Sequence, residues 1–456
     1  MDRQRLGIAA ARPTPASNPR RDTHHRIVPR STTTMPTEKG NHMTDEATEF
    51  RGWVRHGNVL EILPMRLRPR RPTDVVVRNL AAQACYTLVS NVLDSDKHIP
   101  GFGGRARSPG HGAMGVVVEV GSQVRRVKVG DRVVTPVLPA CGTCYSCSRG
   151  EWHCCGHKND LDFATPDNPP FAEMLDGTPV WQDHTGGFAE LAVCPEPWVV
   201  PVNDSPLSNI ELATLACVPG PGWTFGLIGA RVEIASTVVV LGAGPLGLSI
   251  IQAAKMSGAR LIIAAERIPH RLEAAKKAGA HVVLNTDEIG DTLVQRIHEL
   301  CRPETENMAA GGKPTIGFYS GTGADHVFEA AGATLGDPTT GKPADLTGAA
   351  LISQGVQATR RGGFFVHTGV TLKTNDSSVW TPAPGPFDYN GKRYLSAAYG
   401  GGNVLRDIPR LAKLIEMGYL DAMSLVDPVL PFEKGDEAIW SSLNRDKLLP
   451  IITFED

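Results

Sequence analysis

The chain has 456 residues, with 46 Lys and Arg against 48 Asp and Glu, a net charge of −2, and 41% hydrophobic residues. Such a length supports two or three domains, each with its own core, and excludes a lone small module. The near-neutral balance leaves no electrostatic footprint for nucleic acid or an anionic membrane, so the expected ligand is a small molecule.

Met1 to about Asn41 is rich in Arg, Pro, Thr and Ser and has no apolar periodicity, so it cannot bury enough surface to fold. It lacks the continuous apolar stretch of a secretory signal, and Asp2, Asp22 and Glu38 set it apart from an organelle transit peptide. A disordered extension over residues 1–47, or a true start at Met43, is expected. From Phe50 to about Val134 the pattern is short strands, at 75–80, 115–121 and 131–134, separated by Pro and Gly turns. This part reads as a β-rich lobe. Residues 160–185, rich in Pro, Asp and Gly, read as a long surface excursion, after which 187–193 resume as a strand. Beyond Val239, strand-like runs at 237–241, 261–264, 281–284, 326–328 and 363–366 alternate with helical patterns such as 271–278, the βαβ rhythm of a parallel sheet. Stretches near 303–322 and 336–343 read as inserted loops with no assigned function. Glycines break the apolar runs well short of the roughly 20 residues that a bilayer span needs. A soluble, cytoplasmic protein is expected.

Nine cysteines could form a disulfide framework, but clustering at metal-ligand spacing in a chain of this size fits a metal and a reducing compartment better. Cys141, Cys144, Cys147 and Cys155 stand in a C-x2-C-x2-C-x7-C array, tight enough to close a tetrahedral shell around one Zn²⁺. Cys154 offers an alternative fourth ligand; spacing favours Cys155. A nucleic-acid zinc module is disfavoured by Glu151, Asp160 and Asp162, which stand where a dense basic patch would be required. The dispersed Cys85, His111 and Cys217 supply three ligands and leave a position open for substrate. Cys194 and Cys301 read as ordinary thiols.

Gly242-Ala-Gly244-Pro245-Leu246-Gly247 lies between an apolar strand and a helical pattern. In that context the glycines let the backbone turn tightly and approach a pyrophosphate, which rests on the helix N-terminus. Glu266 falls where an acidic side chain meets the adenosine ribose and repels a 2′-phosphate, favouring NAD. Arg267 and Arg271 could instead accept that phosphate, so NADP stays open.

These motifs, with Cys85-x-Thr87, Gly110-His111, the run 115–121 leading to 129–133, and the C-terminal 400–410 and 430–434, resemble the zinc-containing medium-chain dehydrogenases, alcohol dehydrogenases among them, from about Phe50 to Phe454. The resemblance implies an α/β architecture: a GroES-like catalytic domain at 48–217 with a zinc lobe at 139–158, a doubly wound Rossmann domain at 218–398, and a C-terminal segment at 399–456 completing the catalytic domain. It implies two zinc ions per chain, a catalytic one on Cys85, His111 and Cys217 and a structural one on the four-cysteine array. It further implies hydride transfer between an alcohol and a nicotinamide cofactor, with aldehyde or ketone as the other partner, and a homodimer or homotetramer. Thr87 matches the hydroxyl that accepts the alcohol proton, and Ser90 falls near the position where many relatives continue the relay with histidine. Four positions depart from the pattern. Gly112 replaces a Glu, Leu88 replaces an Asp, and both lost carboxylates lie close to the zinc in relatives. Tyr86 and Leu449 stand where some relatives carry basic residues for the cofactor phosphates. Two alternatives stay open: a zinc-free quinone or enoyl reductase of the same superfamily, and a nonenzymatic nucleotide-binding relative.

Overall fold

A computed structural model of the protein describes residues 49–56, 59–88, 105–138, 140–157, 169–301, 322–332, 345, 348–369 and 391–455. The N-terminal extension at 1–47, Ser90, and the loops near 303–321 and 336–343 lie outside the described residues.

The first part of the chain forms β1 (Glu49–His56), β2 (Val59–Leu67), β3 (Asp74–Gln83), β4 (Ala106–Ser108), β5 (Ala113–Val120), β6 (Arg132–Thr135), β7 (Ala172–Met174), β8 (Pro179–Gln182), β9 (Leu191–Pro195) and β10 (Val200–Pro201). The middle part forms β11 (Thr237–Leu241), β12 (Leu261–Glu266), β13 (Val282–Asn285), β14 (Ala324–Glu329), β15 (Thr359–His367) and β16 (Arg393–Leu395). The chain closes with β17 (Val426–Pro431) and β18 (Leu449–Thr453).

Strands β1, β2, β7, β8 and β4 close into a barrel beside a sheet ordered β10-β6-β5-β3-β18-β17, with β9 also pairing with β3. Of the stretch 160–185 read as a surface excursion, 160–168 lie outside the described residues, and the rest instead supplies β7 and β8 to the barrel. Its Pro, Asp and Gly content marks tight turns, such as Gly177 between β7 and β8, while Phe171, Ala172 and Val180 enter the core. The β-branched run Val75, Val76, Val77 suits β3, which lies between β5 and β9 and is buried along nearly all its length. The C-terminal β18 pairs antiparallel with β3, Ile451 opposite Gln83, so strands from early and late in the chain share one sheet.

The third sheet is ordered β13-β12-β11-β14-β15-β16 and every pairing in it is parallel. Its order reverses between β11 and β14, the switch point at which doubly wound sheets bind ligands beyond the carboxyl ends of their strands. β11, Thr237–Leu241, is fully buried, as a central parallel strand covered on both faces requires. At its end Gly242 takes a φ of 98°, and a β-carbon there would meet the backbone of Ala331 at 2.9 Å. One turn on, a β-carbon on Gly247 would come 1.9 Å from the carbonyl oxygen of Gly242. Only glycines allow this turn to lie flat on the loop after β14. Gly247→Ala is expected to lower stability by about 1–3 kcal/mol, measured by urea unfolding, because the obstructing atom is backbone and cannot rotate away.

Candidate metal centres and cofactor crevice

Cys85 follows β3 directly, and its neighbour Ala84 donates its amide to Pro450 O at 2.9 Å. His111 lies in the turn between β4 and β5, bridged to Gly186, and Cys217 follows the helix Asn209–Thr214. All three are buried, and one ligand atom from each lies within 4.8 Å of the others. Cys85 Sγ and His111 Nε2 are 2.8 Å apart. A hydrogen bond from Cys217 holds the Cys85 thiol well below its ordinary value despite burial, with His111 adding to the effect. The same bond, then burial, pushes the Cys217 thiol up. Ionising both sulfurs would leave two uncompensated anions in a low-dielectric pocket. A divalent cation removes that conflict, and two thiolates with one imidazole are the donors a zinc ion takes while keeping a fourth position open.

The loop Cys141–Cys155 gathers four more sulfurs. Cys141, Cys144, Cys147 and Cys155 also lie within 4.8 Å of one another, whereas Cys154 is exposed and outside the group. The Sγ atoms of Cys141 and Cys147 are 4.0 Å apart, as are those of Cys144 and Cys155. Zinc–sulfur bonds of about 2.3 Å in a tetrahedron require sulfurs about 3.8 Å apart, so the lobe fits the ion with little movement. Burial pushes the Cys147 thiol up to about 12. At Cys141 burial acts the same way, but hydrogen bonds from the amides of Thr143 and Cys144 outweigh it and bring the thiol to about 6.

The glycine turn leads into the helix Pro245–Met256, with Gly244 at its N-cap and Pro245 in the first turn, where a missing N–H removes a donor that lacks a helical partner anyway. Leu246 is half-buried beside Gly247. Glu266 ends β12; its Oε2 accepts the Ala243 amide at 3.0 Å, and its Oε1 accepts the amides of Arg267 and Ile268 at 2.7 and 3.1 Å. A buried carboxylate is thereby fixed at the rim of the turn. Arg271 reaches back across it, donating from Nη2 to Lys447 O at 3.3 Å. Glu329, fully buried at the end of β14, accepts the amides of Ala331 and Gly332 through Oε1 at 2.9 and 2.7 Å and pairs with His367 Nδ1 at 2.8 Å. It ties down the loop on which Gly242 rests.

Residues 71–204 match the family model described as alcohol dehydrogenase GroES-like domain, and residues 245–337 match the one described as zinc-binding dehydrogenase. The chain belongs to the zinc-type, alcohol dehydrogenase-like medium-chain dehydrogenase/reductase family. It is 27% identical over 391 residues to the alcohol dehydrogenase class-3 of Cereibacter sphaeroides, a match covering 83% of this chain and 90% of that one. With S-(hydroxymethyl)glutathione dehydrogenase of Paracoccus denitrificans the identity is 26% over 388 residues, covering 82% and 90%. Among solved structures, benzyl alcohol dehydrogenase from Acinetobacter calcoaceticus matches with a TM-score of 0.70 at 25% identity, covering 90% of this chain and 100% of that one.

Within this zinc-type family frame the two missing carboxylates have physical counterparts. Leu88 is fully buried in an apolar cluster with Trp53, Phe188, Phe432 and Ile439, so the wall beside Cys85 is apolar. At Gly112 a β-carbon would already sit 3.1 Å from Ala216 Cβ, so the loop carrying Cys217 fills the space a longer side chain would enter. Thr87, half-buried, lies between Cys85 and Leu88 in the turn after β3. Sequence reasoning missed Tyr399, which is fully buried and donates its hydroxyl to Leu215 O, bracing the loop that presents Cys217. The glycine pair Gly400-Gly401 marks that turn, but nothing local discloses the tyrosine's distant acceptor. Glu329 and His367 were likewise missed, since a carboxylate and an imidazole ending two different strands meet only in the sheet. Leu88→Asp is expected to lower stability by about 2–4 kcal/mol, because it buries a carboxyl in an apolar cluster; urea unfolding at neutral pH checks this.

Proposed function

We propose that this protein is a zinc-dependent alcohol dehydrogenase that oxidises an alcohol with NAD⁺, or reduces the aldehyde or ketone with NADH. The observation carrying the reading is the convergence of Cys85 Sγ, His111 Nε2 and Cys217 Sγ within 4.8 Å at the base of a fold whose glycine turn is built for a dinucleotide. Zinc held by these three residues would supply Lewis-acid polarisation of a substrate oxygen.

The chain's own residues do the rest. Thr87, two positions after Cys85, takes the hydroxyl proton at Oγ1 and passes it toward solvent, with Ser90 as the next relay. Leu88 and its apolar neighbours make the wall beside Cys85 apolar, which strengthens electrostatic contacts there. Gly242, Gly244 and Gly247 allow the cofactor diphosphate to approach the backbone, and Pro245 and Leu246 begin the helix whose free amides face it. Glu266, held by three amides, accepts the adenosine ribose hydroxyls and disfavours a 2′-phosphate, which supports NAD over NADP. The four-cysteine lobe holds a second, structural zinc.

Relatives named for alcohol, S-(hydroxymethyl)glutathione and benzyl alcohol oxidation support an alcohol as the substrate class. Zinc content tests the reading directly. Elemental analysis should find two zinc ions per chain, falling to one in Cys85→Ser, and wild type should turn over an alcohol and aldehyde panel with NAD⁺ and NADH. One zinc per chain, unchanged by the substitution, would falsify the Lewis-acid role and bring the zinc-free reductase forward. NADH binding without any turnover would favour a nonenzymatic nucleotide-binding role.

A further inference from the structure

The turn carrying Tyr86 and the glycine turn at Gly244 are joined by a short bridge from the C-terminal segment. The helix Gly435–Asn444 ends at Arg445, whose φ of 59° places a long charged side chain in the left-handed region. Helix ends use glycine or asparagine there, because a β-carbon is strained. The Arg445 guanidinium lies over the Tyr86 ring, 4.9 Å from its centroid. Two residues on, Lys447 O accepts Arg271 Nη2, and Arg271 Nη1 is 3.5 Å from the place a β-carbon on Gly244 would take.

Among the described residues Arg445 makes no ion pair. Two buried donors in the same bridge also lack a partner, Arg271 Nε and Tyr86 Oη. Burial lowers the Arg271 guanidinium from its ordinary value; Glu266 opposes this, while Arg445 and Arg267 add to it by like-charge repulsion. Cations gathered with donors to spare, beside glycines that admit close approach, form a receptor for a dianionic group. Tyr86 and Leu449 bring no charge to this place, and Leu449 is buried in β18.

We infer that Arg445, stacked on Tyr86, is a cofactor-binding residue that holds the diphosphate of the dinucleotide together with Arg271. The ring of Tyr86 fixes the guanidinium over the turn, and its hydroxyl donates to the same diphosphate. The strained backbone at Arg445 is retained because the side chain is needed there. This assignment rests on the nicotinamide-cofactor reading and specifies which cations serve it.

Arg445→Gly separates binding from folding, since glycine removes the guanidinium and relieves the backbone. Arg445→Asn, which also tolerates that backbone, guards against a poorly folded variant. NADH and NADPH dissociation constants, by fluorescence titration of the holoprotein at low and moderate salt, are read beside melting temperature. The expected result is a melting temperature unchanged or raised, at least a tenfold weaker NADH affinity in both variants, and a weaker salt dependence than wild type. An unchanged NADH constant overturns the assignment while leaving the cofactor reading intact. Loss confined to NADPH also overturns it, because Arg445 would then read a 2′-phosphate. Wild type that binds neither nucleotide overturns the cofactor reading and this inference together.

Discussion

One antiparallel register, Ile451 of β18 opposite Gln83 of β3, decides where both halves of the site fall. Cys85 and Tyr86 follow Ala84 just past the end of β3, and Arg445 lies four residues before the start of β18. Ladder hydrogen bonds therefore bring a thiol ligand, an aromatic ring and a guanidinium to one edge. A shift by one residue would turn each strand's inward side chains outward and separate them. Tight packing around the pair makes that slip expensive: Ala81, Ala82, Ile451 and Ile452 are all fully buried.

Around that edge, burial and charge are set against each other in two ways. At Cys85 and Cys217 the conflict is between anions in a dry pocket, and a bound cation would resolve it. At Arg271 and Arg445 the conflict is between cations, and a bound anion would resolve it. Leu88, buried in an apolar cluster, offers no charge to offset the first conflict.

Much of this was legible in the residue order, because some chemistry is local. The α/β class, the parallel rhythm after Val239, the glycine turn and the four-cysteine array each lie within a short window. Other features depend on distant partners. Strands β7 and β8 hide in a stretch whose Pro, Asp and Gly content suits a loop, since very short strands carry too few residues to show alternation. β16, three residues long, gives no period at all. Tyr399 and Glu329 act through acceptors and donors that only the folded chain brings near. Leu88 reads as a lost carboxylate from its position, yet its role as packing appears only beside Trp53 and Phe188.

The same closing strand has a consequence for synthesis. Ser442 donates its hydroxyl to the carbonyl of Ala84, a contact spanning 358 residues of sequence. On a ribosome the edge of β3 stays open until nearly the whole polypeptide has emerged, while the intervening doubly wound unit can fold meanwhile from its own local βαβ contacts. The stretch Ala81–Gln83, uncovered beside a free thiol, is a template for wrong pairing during that interval. The nascent chain is thus vulnerable to wrong pairing and oxidation at the place where Cys85 later sits, and a C-terminal truncation that removes β18 would make that vulnerability permanent.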